Sequence, residues 1–246
     1  MTRISVELVP RDIEVLKEEV KTIKEKLSDV DFINIPDLLS CDTRSWDGAN
    51  IAKAYFDDVV PHLRAMDFDF TKELPIKDKL REYNIKEVLV VEGDPPQSML
   101  YQVYPTISTD IIKKFSEEMP EITVYAGIDQ YRSSMKEEEY RIRRKQLAGA
   151  KGFFTQPFFD MRYLEMYADL LDGLDIYWGV SPVLSERSVS YWRNKNNVIF
   201  PKDFEPTLEW NIEFASKVID FARNHNVYLM PIKAKIMPYL EGVFAK

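Results

Sequence analysis

Short runs of hydrophobic residues alternate with longer amphipathic segments along the whole chain. The clearest run, residues 87–91, consists almost entirely of β-branched residues and leucine. Such runs are typical of parallel strands that are covered on both faces. The clearest amphipathic segment, residues 13–27, has hydrophobic residues at steps of three and four, with Glu and Lys on the other face. That spacing predicts a helix.

The same two patterns repeat eight times. Strands are predicted at residues 4–10, 31–37, 61–69, 87–91 and 123–128, at the apolar run that ends at Gln156, and at 175–183 and 227–232. Helices are predicted at 13–27, 49–56, 76–83, 109–119, 136–148, 161–171, 186–194 and 207–224, with a last one from residue 235. This alternation predicts a parallel sheet, and eight units predict a single (β/α)8 TIM barrel over residues 1–246. The rival, an open doubly wound sheet, lacks a Gly-x-Gly-x-x-Gly turn after the first strand.

The composition narrows the range of partners. The formal net charge is -8 and no basic stripe is present, which argues against a nucleic-acid or anionic-membrane surface. The net charge does not exclude a small anionic ligand, because such a ligand needs only a local basic group. A single cysteine, Cys41, and two histidines make a metal site unexpected. The N-terminus has no signal-peptide pattern, and no apolar run approaches the ~20 residues that span a bilayer. We therefore expect a soluble, cytoplasmic protein.

Polar residues stand at the end of nearly every predicted strand: Glu7, Asp37, Asp67, Asp69, Asp94, Asp129, Gln156, Ser181 and Lys233. In a TIM barrel the reacting groups lie at the C-terminal ends of the strands. The alternative is that the acids cap the helices that follow, because the helix dipole favours negative charge there. The pattern alone leaves both interpretations open, above all for Asp37 and Asp129.

Three of these places indicate more specific chemistry. Glu7 lies inside an apolar run, where burial would raise its pKa and suit it to general acid catalysis. In Gly93-Asp94-Pro95-Pro96 the glycine allows a close approach of the backbone to a ligand, and the prolines fix the loop that presents Asp94. The alternative there is a rigid turn with a capping aspartate. Gln156 can hydrogen-bond a flat heterocycle, and the Phe158-Phe159 pair can form a wall beside it.

Seven short segments follow one another in the order and spacing of a single family. They are Ser5-Val6-Glu7-Leu8-Val9-Pro10, Asn34-Ile35-Pro36-Asp37, Pro61-His62-Leu63-Arg64, Gly93-Asp94-Pro95-Pro96, Lys145-Gln146-Leu147-Ala148-Gly149-Ala150, Phe154-Thr155-Gln156-Pro157-Phe158-Phe159-Asp160 and Gly179-Val180-Ser181-Pro182-Val183. Through them the chain resembles the catalytic barrel of methylenetetrahydrofolate reductase over nearly all of its length. No segment is specific alone, but the combination is.

The resemblance implies a reaction and a role for single residues. A hydride would pass from NADH or NADPH to FAD, and then to 5,10-methylenetetrahydrofolate, giving 5-methyltetrahydrofolate. Glu7 matches the glutamate that protonates the folate when its methylene bridge opens to an iminium. Asp94 matches an aspartate near the flavin and the folate, and Gln156 matches the glutamine that holds the pterin. Lys145 and His62 resemble residues on the flavin side.

The chain also departs from the family. Asn34-Ile35-Pro36-Asp37 replaces a Thr-Tyr-Gly-Ala-like segment, which leaves Asp37 as a candidate on the cofactor side. Glu92 precedes the cofactor-side Gly93, where the family tends to have Arg or Thr. The alternative to an oxidoreductase is therefore a folate-binding or regulatory homologue without flavin-dependent reduction, or a subunit that needs a flavin-bearing partner. A barrel hydrolase with paired carboxylates is a third hypothesis. The long charged helices could form the interface of a homo-oligomer or a solvated surface, and the sequence does not distinguish the two.

Overall fold

The structure is a computed structural model that describes residues 2–96, 98, 101–222, 225–232 and 235–245. Eight strands in this part of the chain form a closed parallel barrel: β1 Ile4–Glu7, β2 Phe32–Ile35, β3 Val59–Arg64, β4 Glu87–Val91, β5 Thr123–Ile128, β6 Gly152–Pro157, β7 Ile176–Val180 and β8 Asn226–Leu229. Strands that follow one another in the sequence pair in parallel, and β8 closes onto β1. The predicted (β/α)8 barrel is confirmed.

Helices follow the strands on the outside of the barrel. In the described ranges they are α1 Ile13–Lys26, α2 Ser45–Ala52, α3 Lys77–Glu82, α4 Ser108–Glu118, α5 Met135–Ala148, α6 Met161–Leu170, α7 Glu186–Lys195, α8 Leu208–Phe221 and α9 Ile236–Phe244. Several begin at a side-chain cap whose oxygen accepts a first-turn N–H, for example Asp12 before α1 and Asp160 before α6. None of these helices is long and apolar enough to cross a membrane. The predicted helix end at Asn224 and the strand-end residue Lys233 lie outside the described residues.

Some boundaries differ from the hydrophobic pattern for local reasons. β3 ends at Arg64, earlier than predicted, because the chain turns into a 3-10 helix at Ala65–Asp67. β7 ends at Val180, shortly before Pro182, which has no N–H to donate to a strand ladder. α2 begins at Ser45, four residues earlier than predicted, because an aspartate side chain accepts the N–H of that residue.

Successive residues of each strand point alternately to the outside and to the inside of the barrel. Outward-facing residues pack under the helices, and inward-facing residues fill the barrel: Phe32, Val60, Leu89, Tyr125, Phe154, Tyr177, Tyr228 and Met230. The rings of Phe154 and Tyr177 stack with centroids 4.1 Å apart. Because the interior is packed with aromatic rings, space for a ligand is left at the ends of the strands.

Arg3 closes the N-terminal end of the barrel. Its guanidinium lies 4.4 Å from the centroid of the Phe32 ring and donates to the Tyr177 hydroxyl at 3.1 Å. It also forms ion pairs with Asp58 at 3.2 Å and with Glu87 at 3.4 Å. These partners tie β1 to side chains around the barrel, so the N-terminal end is closed by contacts within the protein.

Candidate functional site

A cleft of about 1100 Å³ opens at the C-terminal end of the barrel. Its walls come from the ends of β2 to β6, from α5 and from the end of α7. Of the residues that the sequence singles out, the cleft is lined by Asp37, His62, Gly93, Asp94, Lys145 and Gln156. Glu7 and Phe158 are not among the lining residues. The volume is large enough for a ligand or cofactor of nucleotide size.

Gln156 faces the cleft from the end of β6. The pairing of β6 with β7 shifts register between Phe154 and Pro157. In this irregular stretch the N–H of Gly179 donates to the Thr155 hydroxyl oxygen at 2.8 Å. The backbone carbonyl of Gln156 accepts from Nε2 of Gln130 at 2.7 Å, and the side chain of Gln156 is exposed at the cleft. Bulges of this kind re-aim a side chain next to a site.

Glu7 ends β1 with its side chain inside the barrel and is only 7% exposed. The hydroxyl of Tyr228 donates to its Oε2 atom. Burial raises the pKa of Glu7 to about 7, against the opposing effects of the Tyr228 hydrogen bond and the positive charge of Arg11. Near neutral pH the carboxyl can therefore hold a proton and release it, as a general acid requires.

Two buried polar side chains lie close to the pair of Glu7 and Tyr228: Asn34 is beside Glu7, and His62 is beside Tyr228. His62 lines the cleft, and its ring packs against that of Tyr228 with centroids 6.4 Å apart. Burial lowers the pKa of His62 to about 3, so the imidazole is neutral. Asn34 is the register partner of Glu7 on β2 and is fully buried. Neither Nε2 of His62 nor the amide of Asn34 has a hydrogen-bond partner among the described residues.

Asp37 lines the cleft, but its carboxylate is engaged. It binds Arg44 through two hydrogen bonds of 2.9 and 2.6 Å and accepts the N–H of Ser45 at 3.1 Å, where α2 begins. Arg44 also meets Asp67 at 2.9 Å. The helix-capping interpretation that the sequence left open therefore describes the contacts of Asp37.

Gly93 and Asp94 lie against a buried arginine, Arg64. Gly93 has a φ of +89°, and a Cβ there would lie 3.1 Å from the Cβ of Arg64. Nη2 of Arg64 donates to the carbonyl of Asp94 at 2.8 Å, and its Nε lies 3.4 Å from a carboxylate oxygen of Asp67. These contacts fix the loop and leave the Asp94 side chain exposed at the cleft.

Lys145 belongs to a basic wall on the α5 side of the cleft. Its Nζ donates to the carbonyl of Gly127 at 2.6 Å. Burial lowers the pKa of Lys145, while the negative charges of Glu138 and Glu92 oppose this effect. Glu92 itself accepts from the N–H and the hydroxyl of Ser108 at the start of α4. Further cations line the same cleft: Arg132, Arg141, Arg144 and Lys195.

Phe158 lies behind the sheet and not in the cleft. It is fully buried, and its ring packs within 5.8 Å of the rings of Tyr163, Tyr167 and Trp178. The reason is local: β6 ends at Pro157 and the chain turns towards α6, so the strand alternation does not continue to Phe158. The structure therefore does not bring Phe158 together with Gln156 as a ligand wall.

Three residues were not singled out from the sequence: Arg64, which lines the cleft, and Asn34 and Tyr228, which lie beside Glu7. Their strand positions were predictable, since two-residue alternation places all three on the inner face. Their partners were not, because Tyr228 meets Glu7 across 221 positions of the chain. In the described part of the chain, no group of three or more His, Cys, Asp or Glu residues is placed to hold a metal ion.

The fold and the cleft define a TIM-barrel protein with an open cleft at the C-terminal ends of its strands. No family model matches the chain. A 5,10-methylenetetrahydrofolate reductase from Buchnera aphidicola subsp. Schizaphis graminum (strain Sg) is 22% identical over 147 residues, 58% of this chain and 50% of that protein. The chain thus spans about half the length of the curated relative that it matches.

Two solved structures show similarity over nearly the whole chain. A protein from Clostridium thermocellum that binds two copies of 5-methyl-5,6,7,8-tetrahydrofolic acid has a TM-score of 0.64 and 14% identity, covering 99% of this chain and 93% of that chain. Oxaloacetate acetylhydrolase has a TM-score of 0.62 and 10% identity, covering 97% and 78%. Identities this low show the fold alone. Together with the sequence segments, the comparisons support a divergent methylenetetrahydrofolate-reductase-like family, and the predicted resemblance is confirmed.

Proposed function

We propose that the chain is a methylenetetrahydrofolate-reductase-like oxidoreductase that reduces 5,10-methylenetetrahydrofolate to 5-methyltetrahydrofolate. One observation carries the proposal: Glu7 is a buried carboxyl with a pKa near 7, at the position that matches the family's proton donor. The similarity to a curated reductase and to a methyltetrahydrofolate-binding structure supports a reduced folate as the ligand.

Gln156 and Asp94 bind and orient the folate in this proposal. Both side chains are exposed at the cleft, on opposite sides of the end of β5. The amide of Gln156 offers a donor and an acceptor to the edge of the pterin, and the Asp94 carboxylate accepts from its N–H groups. Two polar groups of this kind fix the orientation of a flat ligand in a cleft.

In the proposal Glu7 supplies the proton from the barrel interior next to the cleft, since the residue is buried and does not itself line the cleft. The folate nitrogen takes it as the C–N bond of the methylene bridge breaks, and the bridge carbon becomes an iminium that accepts a hydride. A carboxyl with a pKa near the working pH serves such a transfer best. Asn34 beside Glu7 and the neutral His62 beside Tyr228 add no charge that would oppose the change in protonation.

The residues of the cleft fit a flavin nucleotide. His62 Nε2 is a buried nitrogen without a partner among the described residues, at a position that lines the cleft. The basic side chains on the α5 side suit the phosphates of an anionic cofactor. In the proposal His62, Gly93 and Lys145 hold FAD, with Asp37 acting through Arg44 behind them. When bound, FAD would carry a hydride from NADH or NADPH to the folate.

A folate-binding homologue without the redox step is the second candidate. The observation that favours it is Glu92, an acid that lines the cleft and acts on Lys145 where the family tends to have Arg or Thr. This charge opposes an anionic cofactor. In that case the protein binds a reduced folate but takes up no flavin, alone or with a partner subunit.

The test is a pair of half-reactions on protein reconstituted with FAD. The proposal expects NADH or NADPH to bleach the flavin absorbance and methylenetetrahydrofolate to restore it. Glu7→Gln keeps the first half-reaction and abolishes the second, because only the second needs the proton.

Glu18→Gln is the matched control, since Glu18 is exposed on α1 and does not line the cleft. It keeps both half-reactions. Equal loss of both in Glu7→Gln refutes the role of Glu7, and a colourless protein that binds a reduced folate without turnover supports the second candidate.

A further inference from the structure

We infer that Tyr228 is a positioning residue for Glu7: its hydroxyl holds Oε2, so that the transferable proton is carried on Oε1. The inference rests on the proposed function, which makes Glu7 the proton donor, and it assigns a role to a residue of β8. Three features of the barrel interior carry it: the pairing of the strands, the packing of the Tyr228 ring, and the charges around the carboxyl.

The strands bring the two side chains together from opposite ends of the sequence. β8 pairs with β1, with Ser5 opposite Tyr228 and Val6 opposite Leu229. Tyr228 therefore faces the interior on the same side as Ser5 and Glu7, and its side chain reaches along β1 to the carboxyl at the strand's end. The hydroxyl donates to Oε2 of Glu7.

The Tyr228 ring is held so that its hydroxyl has one direction. Only 4% of the residue is exposed. The ring makes an edge contact with Phe154 at 5.2 Å and another with His62 at 6.4 Å, measured between centroids. A buried and packed side chain loses little entropy when it holds a hydrogen bond, because its rotamer is already fixed.

Few charges compete with this hydrogen bond. Around Glu7 the titratable groups among the described residues are Tyr228 from β8, His62 from β3 behind the Tyr228 ring, and Arg11 after β1. Asn34 on β2 does not titrate. Burial and the Glu7 charge raise the pKa of Tyr228 well above its ordinary value, so Tyr228 stays a neutral donor at every working pH.

The consequence is that the two carboxyl oxygens have different tasks. A hydroxyl that always donates to Oε2 stabilises the charged form of Glu7 after the proton has left and directs the proton of the neutral form to Oε1. Removal of the hydroxyl therefore has two effects: the pKa of Glu7 rises further, and the acid loses its fixed orientation.

Tyr228→Phe tests the inference, since it keeps the ring and removes only the hydroxyl. We expect kcat for folate reduction to fall about tenfold and the high-pH limb of kcat to move up by about 1 pH unit, because hydrogen bonds to charged groups have this size. The KM for the folate changes little. Flavin reduction by the nicotinamide keeps its rate, since it does not need Glu7.

Tyr177→Phe is the matched control. It also removes a buried hydroxyl from the barrel interior, but that hydroxyl accepts from Arg3 at the other end. It leaves the pH limb where it is in the wild type. A wild-type pH limb and kcat in Tyr228→Phe overturn the inference.

A measurement that needs no enzyme activity separates this inference from the proposed function. The pH dependence of unfolding in urea reports the titration of Glu7 in the folded protein. In Tyr228→Phe the midpoint of this Glu7 titration moves to higher pH. When Tyr228→Phe is combined with Glu7→Gln, the shift disappears. If the wild type lacks turnover but this shift occurs, the proposed function fails and the pairing of Tyr228 with Glu7 stands. If the midpoint does not move, the inference fails whatever the activity.

Discussion

Burial decides what Glu7 can do. The carboxyl lies in a strand of hydrophobic residues, and removing it from water favours the neutral form. The Tyr228 hydroxyl and the Arg11 charge recover only part of that cost, so the pKa of Glu7 settles near 7. The same residue therefore links the proposed chemistry to the stability of the fold.

We predict that Glu7 makes the protein less stable as the pH rises from about 4.5 to about 7. In that range folded Glu7 binds a proton that the unfolded chain has already lost, so the free energy of unfolding falls with pH. The raised pKa corresponds to a loss on the order of 3 kcal/mol. Glu7→Gln removes this slope and should be the more stable protein above pH 7. Urea unfolding of both proteins at pH 5 and pH 8 measures the difference.

His62 gives the free energy of unfolding the opposite dependence on pH. Comparison of Glu7→Gln with the wild type cancels this effect. The pKa of His62 is lowered to about 3 in the folded state, so this residue weakens the fold as the pH falls below about 6.5. Both proteins contain His62, and only the difference between them reports Glu7. Glu18→Gln, at an exposed position, should follow the wild type. Parallel pH curves for Glu7→Gln and the wild type would contradict the burial argument.

The placement of single residues was predictable where it depends on the local sequence. Glu7 stands out because an acid interrupts a hydrophobic strand, and Gln156 because an amide ends one. The contacts of Arg64 and Tyr228 were not predictable, because their partners come from distant parts of the sequence. Phe158 does not form the expected wall of the cleft for a similar reason: the turn after β6 decides which way that ring points.

At the scale of elements, two inward-facing glycines shape the mouth of the barrel differently. A Cβ at Gly179 on β7 would lie 2.6 Å from the carbonyl of Thr155 and 2.9 Å from that of Gln156. A Cβ at Gly127 on β5 would lie 3.4 Å from Val91, which is ordinary van der Waals contact. The irregular pairing of β6 with β7, and through it the position of Gln156, therefore depends on Gly179.

We predict that Gly179→Ala destabilises the protein by about 2 kcal/mol, because backbone atoms have to move to make room. It should also weaken the binding of a reduced folate, since the strand that presents Gln156 shifts. Thermal unfolding and ligand titration measure the two effects.

Gly127→Ala is the control and should change the stability by less than about 0.5 kcal/mol. Equal stability of the two alanine variants would show that the close approach at Gly179 does not constrain the strand.

The elements themselves were largely predictable, and their irregularities were not. Hydrophobic periodicity indicated all eight strands because each buries one face under helices and one in the barrel. The early end of β3 at Arg64 depends on a 3-10 turn, and the irregularity of β6 depends on a hydroxyl of Thr155 that meets β7. Such contacts join elements that lie apart in the sequence, so periodicity carries no signal for them.

At the scale of the whole molecule, barrel closure puts most of the candidate residues around one opening, although Glu7 and Phe158 do not line it. Parallel strands end on the same side, so side chains from β2 to β6 line one cleft although they are far apart in the sequence. Arg3 and the stacked aromatic rings seal the other end and the middle. The eight repeats were enough to predict this arrangement, while its extent as a single domain over residues 1–246 stays a prediction.

Binding of a reduced folate in this cleft is tested most directly by calorimetric titration with 5-methyltetrahydrofolate. We predict saturable binding by the wild type. Gln156→Leu should weaken it about tenfold through the loss of a hydrogen bond inside the cleft. Gln146→Leu, which removes an exposed amide from α5 outside the cleft, should bind as the wild type does. No binding by the folded wild type, or equal affinity of Gln156→Leu and the wild type, would contradict the assignment of the cleft.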